Sequence, residues 1–253
     1  MSDKIVWLAA YPKTGSTWLR TIIQQLLAPG VRGKEAIPSL DRDYPQEAPT
    51  YAVMNTEAKM LRTHCQPEHK VFQRMIKQRP DDEVIGVMTI QRHPLDVLLS
   101  QLNYSFVLGR KQSFKGEELK KVEDIVADGE IDHYIDAFIE AGGCPEHVKR
   151  CGSYPTFYEK WHGQDPEAPH LHLRYEEMVS DPVAGVAAIQ TFLGLPVTDP
   201  SELAAKVDDR TQVNGRFFWR KKAYNHRELL PKQSIRRFEE GFADELTQLG
   251  YAS

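Results

Sequence analysis

Residues 5–27 fix the first structural unit that any fold of this chain must contain. Ile5–Ala10 is a continuous apolar run, the pattern of a parallel strand buried on both faces. Lys13–Thr17 is small and polar. Trp18, Leu19, Ile22, Ile23, Leu26 and Leu27 then recur at helical spacing, and Pro29-Gly30 stops the helix. The order is strand, tight loop, helix.

The same alternation continues. Residues 31–56 are rich in Pro and charge and read as surface loop. Ala58–Arg62 is a short, weaker strand ending at Thr63-His64. Val84–Ile90 is a strand, and Pro94 opens a helix whose apolar face is Leu95, Leu98, Leu99 and Leu102. Residues 109–150 are the least regular and read as a solvated surface excursion, with a mobile cover as the other reading. Leu171–Tyr175 is a further strand. Asp181-Pro182 starts a helix that ends at Gly194, and a C-terminal helix carries Ile235, Phe238, Phe242, Leu246 and Leu249. This pattern predicts an α/β fold of three layers, with a mostly parallel central sheet between helices and a P-loop-like binding loop. Its length suits a single domain over residues 1–253.

Net charge is -4, so no bulk basic field draws in nucleic acid or acidic membrane, and an anionic ligand must be held by a local cluster of donors. Three cysteines (Cys65, Cys144, Cys151) read as free thiols of a reducing compartment. No run approaches the ~20 apolar residues of a membrane span. The expected location is cytoplasmic.

Three constellations carry chemistry. Tyr11-Pro12-Lys13-Thr14-Gly15-Ser16-Thr17-Trp18 sits where strand meets helix, and there backbone amides and the helix dipole attract an anion. Gly15 permits close backbone approach, Ser16 and Thr17 add hydroxyl donors, and Lys13 adds a full charge. The Gly-Lys-Ser/Thr ending of a Walker loop, and with it the usual Mg²⁺-binding hydroxyl, is missing. Arg92 lies two residues before Pro94 at the end of a strand, and Ser100 lies two turns into the next helix. An Arg fork and a hydroxyl at that reach suit a terminal phosphate, while a pair with Asp96 is the structural alternative. Arg62-Thr63-His64 places a histidine at a strand end, where a structural role is the default. His170 and His172 alternate along a strand, and no ligand spacing supports a metal.

Taken together these motifs closely resemble the PAPS-dependent sulfotransferases (PAPS is 3′-phosphoadenosine 5′-phosphosulfate). The Tyr11–Trp18 segment is similar to the family's 5′-phosphosulfate loop. The resemblance implies that Lys13 contacts the bridging phosphosulfate oxygen, that Thr14, Gly15, Ser16 and Thr17 bind the donor, and that Trp18 stacks on adenine. Arg92 with Ser100 eight residues later matches the 3′-phosphate motif. Arg62-Thr63-His64 is similar to the family's Lys-Thr-His segment, which makes His64 the general base. Here the Lys is Arg62, a fixed fork that cannot give up its proton. Tyr175, in Leu173-Arg174-Tyr175-Glu176-Glu177-Met178, matches a segment whose Tyr approaches the adenine. The C-terminus departs from the family: Arg220-Lys221-Lys222 stands near the place of a basic, Gly-containing closing loop but no Gly follows, so Arg220 and Lys221 reach the donor through a loop of different shape.

The resulting expectation is sulfuryl transfer from PAPS to a hydroxyl of a small acceptor, with Lys13 and His64 catalytic, and without a metal. The alternatives are an ATP-dependent small-molecule kinase of P-loop type, which predicts Mg²⁺ dependence, and a nucleotide-binding module without turnover. Acceptor and oligomeric state are not legible. The segments expected to line the acceptor pocket, residues 31–56, 101–150 and 211–230, match no readable pattern.

Overall fold

The apolar run that opens the sequence is the central strand of a sheet. In the computed structural model, which describes residues 2–29, 36–40, 48–109, 120–163, 167–196, 199–211 and 219–252, the elements in chain order are β1 (Lys4–Ala9), α1 (Ser16–Leu27), β2 (Thr50–Val53), β3 (Thr56–Thr63), α2 (Lys70–Ile76), β4 (Glu83–Gln91), α3 (Pro94–Val107), α4 (Val122–Ala127), α5 (Ile131–Ala141), α6 (Pro145–Cys151), α7 (Tyr154–His162), β5 (His170–Arg174), α8 (Tyr175–Ser180), α9 (Pro182–Leu193), α10 (Pro200–Arg210), α11 (Asn225–Leu229), α12 (Lys232–Gly241) and α13 (Ala243–Gln248). The sequence reads as one domain. By internal contact the chain divides into two units, Met1–Gln91 with Tyr158–Gln212 and Arg92–Phe157 with Val213–Ser253.

The first unit holds the sheet, in the order β2-β3-β1-β4-β5. Among the described strands, only the edge pair β2–β3 is antiparallel. β1 lies between β3 and β4, with Ala9 opposite Thr63 on one side and Thr89 on the other. The chain therefore leaves β1 toward one side and later returns to its other side. That reversal is where open α/β sheets form ligand crevices, beyond the carboxyl ends of the strands. Trp7, Phe72 and Trp161 pack ring against ring at 5.2–6.0 Å, and α1 packs on α9 and α10.

The sequence understates several elements. β3 looks weak because Glu57, Lys59 and Arg62 interrupt it, yet its Lys59–Thr63 half pairs in register with β1 and its Thr56–Lys59 half with β2. Lys59 is tolerated in the sheet because its Nζ lies 2.6 Å from Asp3 Oδ2. β2 and α2 have no clear sequence signal, and β2 lies inside the stretch read as loop; residues 30–35 and 41–47 of that stretch lie outside the described residues. Tyr175 opens a helix and does not end a strand.

The second unit is helical. Residues 122–151 are not a solvated excursion: α4, α5 and α6 occupy them, and Ile125, Ile131, Ile135 and Phe138 are fully or almost fully buried. Residues 110–119 of that segment lie outside the described residues. Phe138 meets Phe238 and Phe242 with ring centroids 5.8 and 5.6 Å apart, fixing α5 against α12. The C-terminal helix breaks at Phe242, whose φ of -129° separates α12 from α13. All three cysteines are buried and none forms a disulfide.

Candidate active site

The carboxyl end of β1 runs into a loop whose backbone is held in unusual conformations. Thr14 folds it back: both its N–H and its hydroxyl donate to the Tyr11 carbonyl, at 3.4 and 2.8 Å. The Thr14 hydroxyl thus shapes the loop. Lys13 has φ of 73° and Gly15 has φ of 107°. A non-glycine residue in the left-handed region costs on the order of 1–3 kcal/mol and marks a place where surrounding structure imposes geometry. At Gly15 no side chain fits, because a Cβ would lie 2.7 Å from Tyr175 Cδ2. Gly15 is also the N-cap of α1. It offers no side-chain cap, and no acidic residue occupies the first turn. The positive end of the α1 dipole thus faces the loop with neither a capping side chain nor an acid in the helix's own first turn. Ser16 is buried and Thr17 half-buried on that turn.

Trp18 and Tyr175 come together here, with ring centroids 5.6 Å apart in an edge arrangement. They arrive from α1 and from the residue after β5, so strand order brings two residues 157 positions apart to one loop.

His64 follows β3 directly. Its Nδ1 lies 2.5 Å from the Ala10 carbonyl oxygen, at the root of the same loop, and its Nε2 lies 3.1 Å from Arg62 Nη1. A guanidinium only donates, so Nε2 accepts and the proton sits on Nδ1, donated to Ala10. Arg20 of α1 is within the field of Arg62. Burial first, and then that like charge, lower its pKa, and its Nε and Nη1 are buried with no hydrogen-bond partner.

In the second unit, Arg92 is gripped by its backbone. Its N–H donates to the Tyr154 hydroxyl (3.1 Å), and that hydroxyl donates to the Arg92 carbonyl (2.5 Å). Its Nη2 lies 3.4 Å from Asp96 Oδ2 and 3.5 Å from the Lys222 carbonyl oxygen. The pairing with Asp96 therefore exists, and it sits beside a contact that joins Arg92 to the basic run 220–222. Ser100 is half-buried on α3. Arg220 lies over the Trp219 ring and 3.4 Å from Glu123 Oε1, and Lys221 is half-buried.

Asp96 is 1% exposed and accepts from the amides of Asn225 and His226 at 3.0 and 2.9 Å, with His226 Nδ1 at 2.8 Å. Burial pushes its pKa up, but the His226 hydrogen bond and the Arg92 charge outweigh burial and hold it at about 2. His93 stacks on His226 at 4.1 Å, and burial is the main cause that drives its pKa down to about 3. Sequence reasoning missed Tyr154, His226 and Arg20 as parts of these sites. Tyr154 carries no local signal, whereas Asn225-His226, shortly after the basic run, was available as one.

His170 Nε2 and His172 Nδ1 lie 3.2 and 2.8 Å from Thr89 Oγ1. Among the described residues no group of three or more His, Cys, Asp or Glu is arranged to hold a metal ion, and no helix is long and apolar enough to cross a membrane.

The model of the sulfotransferase domain family matches residues 3–249. Mouse (Mus musculus) sulfotransferase 6B1 is 25% identical over 200 residues, covering 78% of this chain and 57% of the relative. Flavonol 3-sulfotransferase of Flaveria bidentis is 24% identical over 218 residues, covering 81% and 61%. The chain thus spans about three fifths of these relatives' length. Among solved structures, mouse sulfotransferase SULT7A1 complexed with PAP (the bisphosphate product of PAPS) superposes with a TM-score of 0.62 at 17% identity, covering 97% of this chain and 86% of that one. Retinol dehydratase with retinol and PAP gives 0.58 at 17% identity, covering 97% and 82%. These likenesses carry the α/β fold with its mostly parallel sheet, and the match of the family model along nearly the whole chain carries the rest: the chain belongs to the sulfotransferase domain family.

Proposed function

We propose that the chain transfers the sulfuryl group of PAPS to a hydroxyl of a small acceptor. The observation that carries this reading is the pairing of the anion-ready loop with His64. The same strand end that supplies Lys13 and the uncapped α1 terminus also supplies the carbonyl that fixes His64 in its Nδ1–H tautomer. That tautomer leaves the lone pair on Nε2, the form a general base needs.

Sulfuryl transfer is close to phosphoryl transfer, an in-line displacement through a loose transition state in which positioning and electrostatics do most of the catalysis. Negative charge grows on the oxygen between sulfur and the 5′-phosphate. Lys13, the amides of the α1 first turn and the Ser16 and Thr17 hydroxyls stabilise it. Trp18 and Tyr175 receive the adenine. Arg92 and Ser100, with Arg220 and Lys221, bind the 3′-phosphate, and Arg92 supplies the charge-assisted fork. His64 Nε2 takes the acceptor proton once the acceptor hydroxyl replaces the Arg62 N–H that occupies it. The leaving group is a stable nucleotide phosphate, so none of these roles calls for a metal. Solved relatives hold retinol and androsterone, and acceptors of that hydroxylated kind are the first class to try.

The test is incubation with PAPS and a panel of hydroxylated acceptors, read by product mass, beside thermal shifts with PAP, AMP and ATP with Mg²⁺. A sulfated product and a shift specific to PAP are expected. Stabilisation by ATP with Mg²⁺ alone, or PAP binding without turnover on any acceptor, sinks the reading in favour of a kinase or a binding module.

A further inference from the structure

The carboxylate of Asp96 is placed where a helix of its own could use it, and it is turned elsewhere. Asp96 stands in the first turn of α3, a favourable position beside that helix's own amides. It reaches instead to the N-terminus of α11, taking the N–H groups of Asn225 and His226 and the His226 ring nitrogen. Those amides are presented by Tyr224, a non-glycine residue with φ of 55°. Arg227 stacks over the Tyr224 ring at 4.2 Å. Asn225 Nδ2 donates to the Lys222 carbonyl at 2.7 Å, and the same carbonyl oxygen lies 3.5 Å from Arg92 Nη2. The His93 ring covers the junction by stacking on His226, with Tyr251 against its edge at 5.1 Å.

One buried carboxylate therefore ties together Arg92 and the backbone that carries Arg220, Lys221 and Lys222. A left-handed residue held against its conformational preference indicates that the docked arrangement is imposed by tertiary contacts. We propose that Asp96, acting through Asn225 and His226, is a positioning residue that clips the basic run 220–222 beside Arg92 and so sets the preference for a 3′-phosphorylated nucleotide. It touches no donor atom itself. This rests on the reading of Arg92 as the 3′-phosphate ligand.

The two physical effects of removing the charge have opposite signs, which makes the test decisive. Electrostatics alone predicts tighter anion binding at Arg92 once the negative charge beside it is gone. Loss of the clip predicts weaker binding, because the basic run is no longer held in place. The experiment is calorimetric titration of the full chain and of Asp96→Asn with PAP and with AMP, which lacks the 3′-phosphate. The expected result is a loss of PAP affinity of about tenfold or more with AMP affinity within about twofold of the parent. Unchanged or increased discrimination between PAP and AMP overturns the proposal, and so does an equal loss for both, which marks a merely structural role. If Asp96→Asn fails to fold, His226→Phe keeps the stack on His93 and removes only the ring donor. It is expected to reduce the PAP-to-AMP ratio, and an unchanged ratio overturns the proposal. A parent protein that does not prefer PAP to AMP refutes the donor reading instead, which separates the two failures.

Discussion

Arg62 Nη1 lies 3.1 Å from His64 Nε2. Because arginine cannot be deprotonated in a protein, this contact assigns the proton of His64 to the other nitrogen, where the Ala10 carbonyl receives it. Two consequences follow. The lone pair of His64 Nε2 is engaged by Arg62, and under the proposed function an acceptor hydroxyl must compete with that guanidinium for it.

The first prediction concerns that competition. His64→Asn is expected to cut single-turnover transfer to aliphatic alcohols by about 10²-fold or more, with PAP affinity unchanged. The loss should shrink steadily as the acceptor becomes more acidic, since an acceptor that ionises unaided has less need of a base. Arg62→Lys keeps a donor of matching charge and should stay within about tenfold of the parent. A rate for His64→Asn that is independent of acceptor acidity would remove His64 from proton transfer.

The second concerns the loop. Gly15→Ala combines a left-handed φ of 107° with a Cβ 2.7 Å from Tyr175 Cδ2. The backbone component alone is on the order of 1–2 kcal/mol, and the clash adds to it. PAP binding should fall steeply. In the double variant Gly15→Ala with Tyr175→Ala the clash is gone, but the φ penalty remains and the proposed adenine contact of Tyr175 is lost, so PAP affinity should stay below the parent's. Full PAP affinity in Gly15→Ala would show that the loop relaxes freely and is not held in its anion-binding shape.

Much of the candidate site is readable from sequence because its signals are local. Strand, Gly-containing loop and helix are adjacent in sequence, and Arg92 with Ser100 straddles one helix start. What escaped depends on partners far along the chain. β3 hides its burial because Lys59 needs Asp3 to be tolerated, and Asp3 lies 56 residues away. The helices at 122–151 were obscured by charge at their exposed positions, although Ile131, Ile135 and Phe138 keep helical spacing. Asp96 was visible in its motif, but its true partners Asn225 and His226 lie some 130 positions later. Tyr154, which grips the Arg92 backbone, has nothing in its own neighbourhood to announce that task.

A third prediction uses Arg20. A guanidinium with two buried nitrogens lacking partners, set in the field of Arg62, destabilises the fold unless an anion offsets it. Arg20→Met fills similar volume without the charge. The variant should be between neutral and about 2 kcal/mol more stable, read from urea midpoints at constant m. A loss of stability would show that the guanidinium is better solvated than its geometry indicates.

The last prediction is the acid response of the fold. His93 is held at about 3, chiefly by burial and then by the like charge of His226, against an ordinary value of 6.5. His170 and His172 are held at about 4 for the same leading reason. Below pH 6.5 the unfolded chain gains protons on these rings that the folded chain does not take. Stability must therefore fall as the pH drops from 6.5 toward 4, and His93 continues the fall to about 3. Asp96 acts lower: its folded value of about 2 against an ordinary 3.8 means its contribution is complete above pH 3.8 and disappears as the pH falls through 2. Each fully differential proton is worth about 1.4 kcal/mol per pH unit. His93 is 6% exposed, so it is expected to contribute up to about 2 kcal/mol of the loss between pH 6.5 and 5. His93→Phe preserves a flat ring against His226 and cannot titrate. Urea midpoints of parent and variant across pH 7 to 5 should therefore diverge in slope, with the variant the flatter. Parallel curves would mean that His93 is protonated in the folded protein as readily as in the unfolded one, and that its burial against His226 is not maintained in solution.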